Sequence, residues 1–393
     1  MNTNLLQPNV QNYINKNLKV AITSLVLKGS PFPTISITEL VEQIESKKRC
    51  EKKLPTWVSS PGIYFPNKLN IEQTSSEATA HYKAGLLKGN SIIDITGGYG
   101  VDCFAFSKTF KQVTHCELHT NLSDIVAYNY LQLKVKNVTC YRGDGVEYVL
   151  KSKQTYDWIY IDPSRRNTIK GKVFLLKDCL PNVPLHLEDL LVKSNHILIK
   201  NSPLLDITSC INQLKYVKKI HVVALQNEVK EVLISIEKNY ADTICIHAVN
   251  IKKDNSQESF SFNYQQEYIC KLSEPLTYLY EPNSAILKSG GFNALCNAYT
   301  VFKLHKHSHL YTSGTSVDFP GRKFKVLEVL PYNKKKLAKH IPENKANITT
   351  RNFKENVVTI RKKTGIKEGG TMYLFFTTNK KEEQIVILCH KLL

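Results

Sequence analysis

Residues Ile92-Ile93-Asp94-Ile95-Thr96-Gly97-Gly98-Tyr99-Gly100-Val101-Asp102 decide how this chain is read. An apolar run ends in a glycine-rich bend, and a helix-like segment follows. Such a run predicts a buried parallel strand, a tight turn and a helix whose N-terminus faces a ligand. The spacing is Asp94-x-x-x-Gly98-x-Gly100. Open α/β sheets bind ligands beyond the carboxyl ends of their strands. The residues that end the neighbouring strands therefore decide what the bend is for.

Outward from this stretch, residues 67–240 alternate strand and helix patterns, which predicts a parallel sheet. The predicted strands are 91–96, 112–117, 138–142, 157–162, 196–200, 219–225 and 232–237. Helices are expected at 101–109, 121–133, 145–151, 185–192 and 205–214. Only residues 226–231 separate the last two strands, too few for a helix, so these two are expected to pair as an antiparallel hairpin. The expected fold class is α/β: a Rossmann-like sheet of the class I methyltransferase type, seven strands with one antiparallel. Residues 1–66 read as a helical lead-in, in which Ser36-Ile37-Thr38-Glu39 opens an amphipathic helix. Its polar end is placed at Ser46–Lys53, before the breaks at Leu54-Pro55 and Ser60-Pro61-Gly62. After residue 240 the pattern changes to short strands at 244–251, 259–263 and 268–272 and a helical stretch at 284–296. From residue 322 follow strand 324–330, helix 334–340, strand 347–350, helix 355–363 and strands 372–378 and 384–390, a small α+β unit.

S-adenosylmethionine (SAM) has a methionine end, a ribose and an adenine to be held. Gly98 and Gly100 let backbone approach a ligand where a side chain would collide. Asp94 and Thr96 lie where the first strand ends, beside the methionine end. Glu117 ends the second strand, where a carboxylate accepts ribose hydroxyls. Asp144 follows the third strand, placed for the adenine amino group. A dinucleotide fingerprint needs a third glycine where this chain has Cys103. No lysine follows the loop as in a P-loop. Upstream, Glu72-Gln73-Thr74-Ser75-Ser76-Glu77 offers a Thr74-x-x-Glu77 capping box. Gln73 and Ser75 are the candidate contacts to SAM there. A glycine turn without ligand is the plain alternative, weakened by acids at successive strand ends.

Ile161-Asp162-Pro163-Ser164-Arg165-Arg166 ends the fourth strand. Enzymes that methylate base amino groups carry Asp/Asn-Pro-Pro-aromatic here and stack a flipped base on the aromatic. This chain keeps Asp162-Pro163 and departs after it. Asp162 is the candidate to touch SAM and to orient or deprotonate a nucleophile. Arg165 and Arg166 are candidates for a phosphate or a base face. Lys200-Asn201-Ser202-Pro203 closes the fifth strand beside them. Methyl transfer is a displacement that needs positioning more than acid–base work, so the lack of a nucleophile triad is no objection.

The formal net charge is +19. Residues 321–393 hold 17 Lys/Arg against 6 Asp/Glu, so that stretch carries 17 − 6 = +11. Lys334-Lys335-Lys336, Arg351-Asn352-Phe353-Lys354 and Arg361-Lys362-Lys363 mix with Tyr332, Phe353 and Tyr373. Such a surface suits a polyanion with exposed bases, hence RNA, although a solvated basic face has the same composition. No apolar run reaches the length of a membrane helix. Val20–Leu27 lacks the cleavage pattern of a signal peptide. Ten cysteines include no Cys-x-x-Cys pair and no zinc spacing, and read as buried thiols of a cytoplasmic protein without a metal site.

The same motifs resemble a family, the bacterial class I SAM-dependent methyltransferases with a C-terminal THUMP-like domain. The resemblance runs through Glu72–Ser76, Asp94–Asp102, Asp162–Arg166, Tyr280-Glu281-Pro282-Asn283, His309-Leu310-Tyr311-Thr312-Ser313, Ala346-Asn347-Ile348 and Lys367-Glu368-Gly369-Gly370. It implies a Rossmann-like catalytic domain at 67–240, a ferredoxin-like segment at 241–320 and a basic THUMP-like domain at 321–393. It also implies methylation of an RNA base, in rRNA or tRNA, with the basic domain holding the RNA. The competing readings are a methyltransferase acting on a small molecule or a protein, and a non-catalytic RNA-binding protein that retains the fold.

Overall fold

The computed structural model describes residues 1–165, 175–333, 337 and 340–392, Arg165 through its backbone alone. These form two compact units, one of residues 1–219 with 231–242, the other of 220–230 with 243–393.

The first unit opens with α1 (Pro8–Lys16), α2 (Ile22–Lys28), α3 (Ile37–Cys50) and α4 (Pro55–Ser59). The Ser36 hydroxyl accepts from Glu39 N while the Glu39 carboxylate accepts from Ser36 N. This reciprocal cap starts α3 where the sequence predicts it. The helix ends at Cys50, inside the polar stretch expected to end it, with Ser46 and Lys47 buried. Leu5, Val10, Ile14, Leu25, Leu40 and Ile44 pack into one apolar cluster. Next come α5 (Lys68–Gln73) and α6 (Glu77–Leu86). The expected Thr74-x-x-Glu77 box does not form. Ser76 caps α6 by accepting from Thr79 N, and Glu77 accepts from the amide and hydroxyl of Thr56.

The sheet contains β1 (Ser91–Asp94), β2 (Gln112–Glu117), β3 (Val138–Arg142), β4 (Trp158–Ile161), β5 (His196–Asn201), β6 (Val217–Leu225) and β7 (Glu228–Glu237). Between them lie α7 (Val101–Phe106), α8 (Thr120–Gln132), α9 (Gly145–Lys151), α10 (Val183–Lys193) and α11 (Ile207–Gln213). The strand order is β6-β7-β5-β4-β1-β2-β3. Strands β1 to β5 pair in parallel, and β7 runs antiparallel to β5. Order reverses between β1 and β4, which opens a crevice at their carboxyl ends. The hairpin predicted from the short 226–231 spacing is present, and its tip, residues 220–230, belongs to the second unit.

The second unit continues with β8 (Cys245–Ile251) and β9 (Gln257–Asn263), an antiparallel pair. β8 lies next to β6, so the hydrogen-bonded ladder counts nine strands where seven were expected. Then follow β10 (Tyr278–Pro282), α12 (Ser284–Ser289), α13 (Ala294–Tyr299), β11 (Phe302–Lys303), β12 (Tyr311–Ser313) and β13 (Gly321–Pro331). β14 (Asn347–Arg351), α14 (Val357–Thr364), β15 (Met372–Thr378) and β16 (Gln384–Lys391) complete it. The second sheet is ordered β11-β12-β10-β13-β16-β15-β14. Residues 268–272 are not a strand; Leu272 makes one isolated bridge to Lys303. The helix expected over 284–296 breaks at Gly290, whose φ of +81° ends α12. Most of the helix expected over 334–340, Lys334-Lys335-Lys336 included, lies outside the described residues. One pair of cysteines, Cys270 and Cys296, forms a disulfide, so the reading of all ten as thiols is corrected. Among the described residues no helix is long and apolar enough to cross a membrane.

One glycine of the bend is fixed by packing. A Cβ on Gly97 would sit 2.3 Å from Nε2 of the fully buried His115. Gly97→Ala is therefore expected to cost about 1–3 kcal/mol in urea denaturation. The cost should shrink when His115→Ala is added, and an equal cost in both backgrounds would show the clash to be elsewhere.

Candidate functional site

The end of β1 is tied to the end of β4 by one side chain. Thr96 donates its amide and hydroxyl to Asp94 Oδ1 at 2.9 and 3.1 Å. The same hydroxyl oxygen accepts from Asp162 N at 2.6 Å. Asp94 is 2% exposed. Burial pushes its carboxyl up to about 8, Asp102 and Asp162 adding to the rise and the Thr96 bonds opposing it.

The bend's glycines play different parts. At Gly100 (φ +77°) a Cβ would meet Tyr130 Oη at 2.4 Å, so the missing side chain makes room for a packed tyrosine. At Gly98 (φ +54°) the nearest atom would be Thr96 O at 3.8 Å, so that position borders open space. Gly98 N donates to Glu117 Oε2 at 2.9 Å, and His119 N donates to Glu117 Oε1 at 2.8 Å. The Glu117 carboxylate is thus fixed against the glycine bend by two backbone amides. The Gly98 amide, held by that carboxylate, is taken from any phosphate. Leu118, next to it, is an exposed apolar side chain. Asp144 caps α9, its Oδ1 accepting from Val146 N and Glu147 N.

Behind the bend lies a group of buried charges. The Lys83 ammonium, from α6, is fully buried. It donates to Glu231 of β7 at 2.7 and 2.9 Å, lies 3.2 Å from Asp102 Oδ1 and 3.1 Å from Ser75 Oγ. Asp102 Oδ2 accepts from Ser75 Oγ and from Tyr160 Oη, both at 2.8 Å. Burial pushes the Asp102 carboxyl up, but Lys83 and Lys200 outweigh it and hold the group below its ordinary value. Burial raises Glu231 in spite of Lys83. Lys200 of β5 forms an ion pair with Asp162 Oδ2. Burial opposes its charge, and Asp162, Asp102 and Glu231 together hold its ammonium above its ordinary value.

The structure therefore brings Ser75, Asp94, Thr96, Gly98, Glu117 and Asp162 to one sheet edge. Gly100 supports the bend from behind, and Asp144 stands at that edge as a helix cap. Gln73 is exposed at the end of α5, and no hydrogen bond among the described residues ties it to this group. Arg166 lies outside the described residues. The Arg165 backbone pairs with Cys179 in a two-residue ladder. Sequence reading passed over Lys83, Tyr160 and Glu231 and gave Asp102 no role. The signal for Lys83 was a lone charge beside apolar neighbours, Tyr82-Lys83-Ala84; Glu231 follows Lys230 and opens the apolar run Val232-Leu233-Ile234. Among the described residues no group of three or more His, Cys, Asp or Glu is arranged to hold a metal ion.

A sheet ordered β6-β7-β5-β4-β1-β2-β3, with β7 reversed and a glycine bend after β1, is a class I methyltransferase fold. Comparison with known proteins gives the family. A crystal structure of a "putative methyltransferase" from Porphyromonas gingivalis W83 is 30% identical, covers 100% of this chain and 99% of that one, and superposes with a TM-score of 0.89. Residues 321–391 match the THUMP domain-like family and residues 278–320 a ferredoxin-like domain. The chain belongs to the methyltransferases that carry a C-terminal THUMP-like domain. Partial likenesses include an rRNA methylase from Streptococcus thermophilus (14% identity, 41% of this chain, 94% of that one, TM-score 0.30). Another is TrmK of M. capricolum bound to S-adenosylhomocysteine (15% identity, 41% of this chain, 68% of that one, TM-score 0.30). No protein of curated function matches.

Two outcomes are expected from the buried charges. Lys83→Met leaves Glu231 and Asp102 without their cation and should cost about 3–5 kcal/mol in urea denaturation; adding Glu231→Leu should recover part of that loss. Asp94 binds its proton more tightly folded than unfolded. Stability is then full below the unfolded value near 4 and falls as pH rises towards about 8. Asp94→Asn should remove this decline, at most about 1.4 kcal/mol per pH unit, from denaturation curves taken between pH 5 and 8.

Proposed function

We propose that this protein transfers a methyl group from SAM to a base in RNA. The observation that carries the cofactor is the Glu117 carboxylate, fixed by Gly98 N and His119 N beside the open Gly98 position. Its remaining lone pairs suit the two hydroxyls of a ribose, and exposed Leu118 offers an apolar face for adenine. The charge balance fits as well. Asp102, Asp162 and Glu231 face two ammonium groups, Lys83 and Lys200, so the edge is short of one positive charge. SAM supplies it, since its α-ammonium and α-carboxylate cancel and the sulfonium leaves one positive charge, whereas the diphosphate of a dinucleotide would add to the imbalance.

When bound, SAM supplies an electrophilic methyl group. The chain's part is to position. Ser75, held by Asp102 and Lys83, keeps the turn before α6 against the sheet. Thr96 locks the ends of β1 and β4 together. Asp162, steadied by Lys200, is placed to accept a hydrogen bond from the acceptor's N–H or O–H and to take its proton. Arg165, Arg166 and Gln73 are the remaining candidates for contacts to the cofactor or the acceptor. The basic C-terminal stretch supports a polyanionic acceptor. Within it Lys354, Lys362 and Lys380 are exposed and available to phosphates.

Calorimetry with SAM tests the donor. Binding is expected, and Glu117→Ala should weaken it about tenfold or more, the loss of a charge-assisted pair of hydrogen bonds. Absence of SAM binding would favour the non-catalytic reading. For the acceptor, the protein is incubated with methyl-labelled SAM and total cellular RNA, and nucleosides are analysed by mass spectrometry. Label in RNA is expected; label in protein or metabolites instead would give the reaction to those substrates. The triple Lys354→Glu/Lys362→Glu/Lys380→Glu variant should bind RNA more weakly and with a shallower salt dependence, while SAM affinity stays the same.

A further inference from the structure

Asn201 is the last residue of β5, one position beyond Lys200. It is 2% exposed, and among the described residues neither Oδ1 nor Nδ2 of its amide has a hydrogen-bond partner. Leaving a buried polar atom unpaired costs about 1–3 kcal/mol, and here both halves of one amide are unpaired. The strand partner of Asn201 is Val232, and a leucine of similar size would satisfy the same burial.

The position points to a ligand. Asn201 stands at the carboxyl edge of the sheet, where open α/β folds bind theirs. In the parallel pair of β4 and β5, Ile161 lies opposite Ile199. Two residues further along the chain stand Pro163 and Asn201, so this register, carried past the end of β4, sets Asn201 alongside Pro163. The candidate cofactor groups Asp94, Gly98 and Glu117 lie on the far side of β4, on β1, its bend and β2. Alternation along a strand turns Asn201 to the face opposite Lys200, so its amide is not spent on the Lys200–Asp162 pair. A carboxamide presents a donor beside an acceptor. The complementary surface is an acceptor beside a donor, which is how the edge of a nucleobase is built.

We propose that Asn201 is a specificity-determining residue that receives the hydrogen-bonding edge of the acceptor nucleobase. The proposal rests on the reading of an RNA acceptor. It explains why an unpaired amide stands in an otherwise apolar position, and it separates acceptor recognition on β5 from donor binding on β1 and β2.

The test uses the full chain as wild type, Asn201→Leu and Asn201→Ala. Each is melted with S-adenosylhomocysteine at millimolar concentration, so that a cofactor site is not filled by adenosine. Adenosine, cytidine, guanosine and uridine are then added singly. At least one nucleoside is expected to raise the wild-type midpoint and to leave both variants unmoved. Without nucleoside, Asn201→Leu is expected to melt about 2 °C or more above wild type, because two unpaired polar atoms are gone. The proposal is overturned if no nucleoside moves the wild type, or if variants and wild type move alike. It is also overturned if both variants melt below wild type, which would make the amide a structural group. SAM binding is measured on the same proteins without S-adenosylhomocysteine. Its absence would count against the donor reading and leave the nucleoside result to stand on its own.

Discussion

Burying an ammonium is expensive, and this fold buries Lys83 completely. The cost is offset only because Glu231 and Asp102 reach it from two different elements, β7 and α7, with Ser75 and Tyr160 completing the hydrogen bonds. A well-packed apolar set of similar volume would often be as stable or more so. What the charged version adds is uniqueness. The turn before α6, the start of α7, the middle of β4 and the start of β7 must all be in place for any one of these groups to be satisfied. The site edge is then assembled around a point that tolerates only one arrangement.

The same logic extends to the groups nearer the solvent. Thr96 accepts from the Asp162 amide and donates to Asp94, so a single hydroxyl closes the strand-order reversal between β1 and β4. Glu117 joins β2 to the glycine bend through backbone amides. The Asp162–Thr96 bond crosses from β4 to β1, and the Gly98–Glu117 bond from the bend to β2. A parallel sheet leaves its carboxyl ends ragged; here those ends are stitched by side chains, and that is what gives the crevice a fixed width.

The sheet was readable because its strands are short apolar runs bounded by turn residues. β2, β3, α9 and β15 fall where the sequence places them. The candidate residues at strand ends were readable for the same reason, since period and position locate them without any tertiary knowledge. Lys83 and Glu231 were not, because their meaning lies 148 residues apart in the chain. A lone lysine among alanine, tyrosine and leucine looks like a solvated helix position until its partner is known. The failed Thr74–Glu77 cap has a similar origin. Ser76 is the better-placed cap, and Glu77 is drawn off by Thr56, a residue 21 positions upstream. At Gly290 the sequence did carry the break, a Gly-Gly pair, and the apolar periodicity around it hid the signal. The glycines of the bend could be counted from sequence, but which one borders open space depends on where Tyr130 and His115 pack.

The hairpin of β6 and β7 has a consequence for how such a chain can change over generations. Its base belongs to one compact unit and its tip to the other, so the backbone passes between the units three times. A gene fusion or loss with a single crossover cannot exchange the second unit cleanly. A break at residue 242 would leave residues 220–230 without the rest of their unit, and a break at 219 would strip the first sheet of β7 with Glu231. Inheritance of the two parts is coupled by chain path alone, which sets this arrangement apart from domains strung on a linker.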